Sequence, residues 1–263
     1  MGVIGAWHYK QVLIIARTYP TPARRGVEAS CTGGITKSGE WIRLFPVPYR
    51  FLSLDKRFRK YQWVEAHVAK SSDPRPESFQ IDIDSIKIIS DPLTTKDKWQ
   101  ARKDIVYPLK SNSLCSLQLA REANKYPTLG IFKPKSIHGF DIERGTSDWS
   151  PIEREKLLQY SIFEKATPHV LEKIPYNFSY RFTCDHPNCR GHKLTCVDWE
   201  LGQAYRQWRQ KYRDKWEQVL RKRFETYMIL ERDTHFFVGT VHAHPGAWII
   251  IGLFYPPQLK ADD

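Results

Sequence analysis

At 263 residues with 41% hydrophobic content, the chain can bury a sizeable core as one large domain or two small ones, which excludes a disordered protein. Its formal charge of +12, with nine Trp, thirteen Tyr and thirteen Phe, joins cations to planar rings, a pairing suited to phosphates and bases, so nucleic acid is the expected partner. The longest apolar run, Ala247 to Phe254, is too short to span a bilayer, and the first residues lack the features of a signal peptide; the expectation is a cytoplasmic protein without membrane contact.

Gln11 to Arg17 is β-branched and predicts a buried strand, ended by T-Y-P-T-P-A-R-R-G, a loop that carries Arg24 and Arg25. Glu28–Thr36 and Glu40–Phe45 predict a hairpin turning at Lys37-Ser38-Gly39, with Trp41, Arg43 and Phe45 alternating onto one face. Phe51, Leu54 and Phe58 recur at helical spacing beside Arg50, Lys56, Arg57, Arg59 and Lys60, which predicts a short basic helix. Tyr61–Ala69 and Phe79–Ile89 predict two more strands around the turn-rich segment that holds Arg75. Three strands, a helix and two strands is the element order of an OB-fold, whose second and third strands and flanking loops bind oligonucleotides or oligosaccharides. Arg24, Arg25, Lys37, Trp41, Arg43 and Arg75 are therefore candidate nucleic-acid contacts in a first lobe, residues 1–92. Trp41 fits a core position equally well, because alternation fixes which residues share a face but not which face is inside. Cys31 reads as a small buried hydrophobe.

Residues 93–126 read as a connector with a helix through Leu114, Leu117, Leu119 and Ala123. A second lobe, residues 127–263, starts with a strand near Gly130–Phe140 and a helix over Pro151–Gln159. Its densest chemistry lies between predicted strands at Tyr176–Thr183 and Lys193–Val197, where Cys184, Cys189, His192 and Cys196 form C-x4-C-x2-H-x3-C with His186 as a spare. Four such donors suit one tetrahedral zinc ion, held structurally, and Pro187, Asn188 and Gly191 supply the turn. Reduced cysteines packed beside a strand pair, or a Cys184–Cys196 disulfide, are the blander readings. Asp198 then caps a long helix, with Glu200 in its first turn and an apolar stripe from Leu201 to Tyr227 spanning roughly 45 Å. Arg206, Arg209 and Arg213 flank the stripe on one side, and Lys211, Lys215 and Lys222 on the other; they are either further nucleic-acid contacts or cations snorkelling from a docked helix. Strands at His235–Val241 and Ala247–Tyr255 close the chain. The fold class expected is mainly β with α insertions (α+β).

Three motifs carry a family resemblance: Cys31 to Pro48 (C-T-G-G-I-T-K-S-G-E-W-I-R-L-F-P-V-P), the F-T-C-x4-C-x-G-H run followed by D-W-E, and F-F-V-G-T with I-I-G-L-F-Y-P. They resemble the dual-OB-containing proteins of prokaryotes over nearly the whole chain. The resemblance implies two OB-like lobes and a metal position at Cys184, Cys189 and His192, and it brings no activity. It leaves the fourth ligand open among Cys196, His186, His242, His244 and water, and an open fourth position would be catalytic rather than structural. The expectation is a zinc-stabilised protein that binds single-stranded or structured DNA or RNA. The alternatives are a metal-dependent nuclease or other hydrolase working through His192, Asp198 and Glu200, or a protein-interaction module.

Overall fold

β-Branched and aliphatic residues that alternate with polar ones draw the described residues of the first part of the chain into the strands β1 (Val3–Arg17), β2 (Thr21–Pro22), β3 (Glu28–Thr36), β4 (Trp41–Val47), β5 (Trp63–Ser71), β6 (Ser78–Ile81) and β7 (Lys87–Ile88). This computed structural model describes residues 2–23, 28–158 and 170–258, so Arg24 and Arg25 lie outside the described residues. β1 pairs antiparallel with β3 and with β5, β3 with β4, and β5 with β6, while β4 runs parallel to β6. Five strands thus close a barrel in the order β1-β3-β4-β6-β5. A parallel pair between the third and fifth strands is the OB arrangement. Val12, Ile14, Ile42, Leu44, Val64 and Val68 fill its interior, each contributing about 1.5–3 kcal/mol by leaving water.

The expected basic helix is absent. Residues 49–51 and 54–56 form two 3-10 turns separated by extended Leu52 and Ser53, and Arg57 caps this stretch through the Leu52 and Arg50 carbonyls at 2.9 Å each. β1 is also longer than the apolar run predicted, since residues 3–10 are largely exposed and pair with β5 beyond the barrel.

The chain divides into two units, Met1–Pro92 with Arg144–Tyr176, and Leu93–Glu143 with Asn177–Asp263. The second unit opens with α1 (Lys96–Val106), β8 (Lys110–Ser111), α2 (Leu114–Asn124), β9 (Leu129–Phe132) and β10 (Ser136–Arg144). Next comes α3 (Pro151–Leu158), which belongs with the first unit rather than with the second lobe that chain order suggested. There Leu157 and Leu171 pack with Tyr19, Phe51 and Trp149, and Trp149 Nε1 donates to Leu171 O at 2.7 Å. Gln159, the expected last residue of that helix, lies outside the described residues.

β11 (Tyr176–Thr183), β12 (His192–Thr195), β13 (His235–Thr240) and β14 (Trp248–Phe254) complete the second unit. The sheet β10-β11-β12 continues through a parallel bridge between Cys196 and Ile250 into the sheet β14-β13-β9-β8, in which short β8 pairs parallel with β9. Because Lys133-Pro134-Lys135 joins β9 directly to β10, the two act as one broken first strand, and the strand order repeats that of the first barrel.

Between its third and fourth strands lies the long helical run Trp199–Leu230: α4 (Trp199–Tyr212), a 3-10 turn, α5 (Trp216–Arg221), a π turn and α6 (Tyr227–Leu230). The run is not a straight rod. Arg213 adopts φ 46°, ψ −119°, and the chain folds back so that Tyr205 meets Trp216 at 5.0 Å and Trp208 meets Phe224 at 6.2 Å. On a straight helix those pairs would stand roughly 16 and 24 Å apart. No helix among the described residues is long and apolar enough to cross a membrane.

Candidate metal centre

The donors converge where α2 meets the β11–β12 hairpin. Cys184 follows β11 directly, Cys189 lies in the turn, and His192 opens β12, with Phe182 and His192 in register across the pair. Gly191 holds φ +91°, a left-handed value that lets the loop turn back into β12 at little cost. The fourth donor comes from far up the chain. Ser113 caps α2 by accepting from Ser116 N at 2.9 Å, which fixes Cys115 in the first helical turn. Gly130 on β9 lets α2 lie close: a Cβ there would come within 2.8 Å of Leu117.

The ligand atoms of Cys115, Cys184, Cys189 and His192 all lie within 4.8 Å of one another, a group able to hold a metal ion. Cys115 Sγ is 3.2 Å from His192 Nε2. Ligand atoms around a tetrahedral ion with bonds of about 2.0–2.3 Å stand roughly 3–4 Å apart, so the spacing fits. The electrostatics fit as well. Burial, and then the neighbouring Cys184 and Cys189 sulfurs, push the Cys115 thiol up to about 12, the mark of like charges converging on one point. Burial also raises Cys184, against hydrogen bonds from the N–H groups of Cys115 and Leu114 at the start of α2. At Cys189 burial is outweighed, and N–H donation from Cys184, at 3.2 Å, and from Gly191 holds the thiol below its ordinary value. Burial lowers His192, which favours the neutral imidazole a metal requires. Sulfurs that accept backbone N–H bonds, crowded together with a neutral imidazole, form a donor set suited to a cation.

The expected fourth ligand, Cys196, is not in this group. It sits at the barrel seam, bridged to Ile250, with its N–H bonded to Phe178 O at 2.7 Å and its side chain buried. Nor are His186, His242 or His244 in the group: His186 Nδ1 accepts from Asn188 N at 3.3 Å within the turn. No disulfide links any of the five cysteines. Cys115 stands far from the Cys184–His192 loop along the chain, so no local ligand spacing announces it. The usable signals were an unassigned cysteine and Ser113, an N-cap that places it in a first helical turn.

Asp198 caps α4 as expected, accepting from Glu200 N at 2.6 Å, and its other oxygen accepts from Leu253 N at 3.1 Å. Both carboxylate oxygens are thus occupied by backbone, on a side chain 4% exposed.

Among the candidate nucleic-acid contacts, Arg43 and Arg75 need correction. Arg43 is 2% exposed, donates to Ser78 Oγ at 3.2 Å, and lies beside Asp73, Glu77 and Cys31. Arg75 grips the buried Asp73 carboxylate through Nε at 2.9 and 3.1 Å. The 72–77 loop is tied to β4 by the Arg43 N–H bond to Glu77 O at 2.7 Å, which leaves Arg43 buried, while Arg75 is half-buried and paired with Asp73 within the loop. Trp41 is half-buried, and exposed Lys37 lies over the Trp63 ring at 4.9 Å. Arg209 and Arg213 are exposed and Arg206 half-buried on the folded-back helical run.

Two family profiles cover the chain. Domain of unknown function (DUF8758) matches residues 8–108, and Domain of unknown function (DUF8757) matches residues 110–263, which include all four members of the metal group. Neither description names an OB-fold, so the OB likeness rests on strand order. No curated protein matches the chain. With more than half of its residues under one profile and nearly all the rest under the other, the chain belongs to the DUF8757 family, with a DUF8758 domain in front.

Proposed function

We propose that the chain is a nucleic-acid-binding protein whose second barrel is cross-linked by a structural zinc ion. The observation that carries the reading is the fold-back of the helical run. From Arg206 to Lys215 the chain bears Arg206, Arg209, Lys211, Arg213 and Lys215 against Asp214 alone, and residues 209–215 are all exposed. The bend at Arg213 sets this exposed, cation-rich stretch at the tip of the folded-back run between the third and fourth strands. On a chain of net charge +12, such a tip is an electrostatic footprint for phosphates.

Zinc suits three thiolates and an imidazole better than metals that prefer oxygen, and four protein donors make the closed, structural kind of site. Such an ion ties the first turn of α2 to the β11–β12 hairpin. Cys115, Cys184, Cys189 and His192 hold it, with N–H groups at the start of α2 and in the loop supporting the sulfurs. Purification at low salt, followed by nuclease digestion of whatever co-purifies and titration with labelled oligonucleotides, tests the binding reading. Nucleic acid that is released by high salt is expected. Protein that binds neither single strands nor duplex at 50 mM salt would refute it.

A further inference from the structure

We infer that the outer face of β1 and β5 in the first barrel is a stacking platform for the bases of a single-stranded nucleic acid. The inference rests on the nucleic-acid reading above and assigns it a second site and a strand preference. On β5, Val64, Ala66 and Val68 point into the barrel, so Trp63, Glu65 and His67 point out. Register places Tyr9 opposite His67 and Trp7 opposite Ala69, so Trp7 and Tyr9 share that outer face. Trp7 is 46% and Tyr9 57% exposed, although rings of this size are usually covered in a folded protein. His67 backs Tyr9 at 3.7 Å between centroids, and Lys37 lies 4.9 Å from the Trp63 centroid, extending the row along β5.

Same-face residues on one strand stand about 7 Å apart, so the rings of Trp7 and Tyr9 form a ladder rather than a clump. Unpaired bases expose flat faces that such rings can take one by one, whereas a duplex keeps its bases stacked inside. Lys87, opposite Glu65 on β7, is exposed at the border of the same face, and Glu65 itself accepts from Gln11 Nε2 at 3.3 Å. A polyanion complements this protein. A second copy does not, since it brings the same +12 to the interface.

The test compares a 20-nucleotide single strand with a 20-base-pair duplex, by fluorescence anisotropy, on wild type and on Trp7→Ala with Tyr9→Ala. Both rings lie outside the barrel core, and a thermal melt checks that the variant is folded. Single-strand affinity is expected to fall about 30-fold or more, and duplex affinity by less than about 2-fold. Trp7→Phe with Tyr9→Phe, which keeps both rings, should bind like wild type. Unchanged single-strand binding by the alanine variant, or equal losses on both probes, overturns the platform while leaving the nucleic-acid reading intact. If wild type binds neither probe, both readings fall. Conversion of a wild-type dimer into a monomer by the alanine variant, read by sedimentation, would assign the face to a second copy and overturn the platform too.

Discussion

Replacing Cys115 by Ala separates the metal group from the sequence motif that first suggested it. Its Sγ lies 3.2 Å from His192 Nε2 and within 4.8 Å of both Cys184 and Cys189, so its loss leaves three donors and frees the start of α2 from the hairpin. A ligand that binds only the folded state stabilises it by RT ln(1 + [L]/Kd), so a hundredfold weaker site at fixed zinc removes about 2.7 kcal/mol. For a domain of this size that is a fall in Tm on the order of 10 °C. Cys196→Ala is the matched control. It removes one buried sulfur at the barrel seam, costs about 1–2 kcal/mol as a small cavity, and leaves the metal group whole. The assay is zinc per chain after exhaustive dialysis, by mass spectrometry, beside calorimetry. One equivalent is expected in wild type and Cys196→Ala, and substoichiometric zinc in Cys115→Ala. Full occupancy of Cys115→Ala together with loss from Cys196→Ala would refute the geometry.

Asp198→Ala should destabilise by about 2–5 kcal/mol, since both the cap to Glu200 N and the bond to Leu253 N are lost, and Asp198→Asn by about 1–3 kcal/mol, because an amide offers only one acceptor. An Asp198→Asn protein of wild-type stability that has lost a metal-dependent cleavage activity would instead support the hydrolase reading. Arg43→Ala should cost about 3–5 kcal/mol by leaving Asp73 and Glu77 short of a counter-charge, with nucleic-acid affinity unaltered; urea titration and anisotropy on one sample read both. Burial holds the His235 imidazole below its ordinary value; Asp233 opposes this, and Lys110 and Lys133 add to it. The unfolded chain therefore binds that proton more readily, and its contribution to stability is lost as pH falls below about 6.5, at up to about 1.4 kcal/mol per pH unit. Thermal melts from pH 7 to 5.5 should show a shallower decline for His235→Asn, and parallel curves would show that His235 is not the group responsible.

What the residues disclosed and what they hid follow from how far each signal reaches along the chain. β11 was legible to its ends, because aromatic and polar residues alternate along Tyr176–Thr183 and its partner β12 follows after one short loop. The strand order of both barrels followed from such strands, although two 3-10 turns stand where the first was expected to carry a helix. Cys184, Cys189 and His192 stood out because one turn gathers them. Cys115 did not, since only the packing of α2 against Gly130 brings it near. Alternation put Arg43 on the same face as Trp41 but could not show that the loop carrying Arg75 is tied to it. The bend at Arg213 depends on a positive φ at a residue that rarely adopts one, so an apolar stripe that continues past it reads as one rod. Helical spacing at Phe51, Leu54 and Phe58 lost to extended Leu52 and Ser53.

The central claim, that the chain grips nucleic acid through the exposed cations at the fold-back around Arg213, is tested most directly by the salt dependence of single-strand binding. Wild type should be compared with Arg209→Ala, Arg213→Ala and Lys215→Ala combined, from 50 to 400 mM salt. Each phosphate contact on a single strand contributes about 0.7 to the slope of log K against log salt, so the triple variant should lose about 2 from that slope. A wild-type slope near zero, or an identical slope in the variant, would contradict the account.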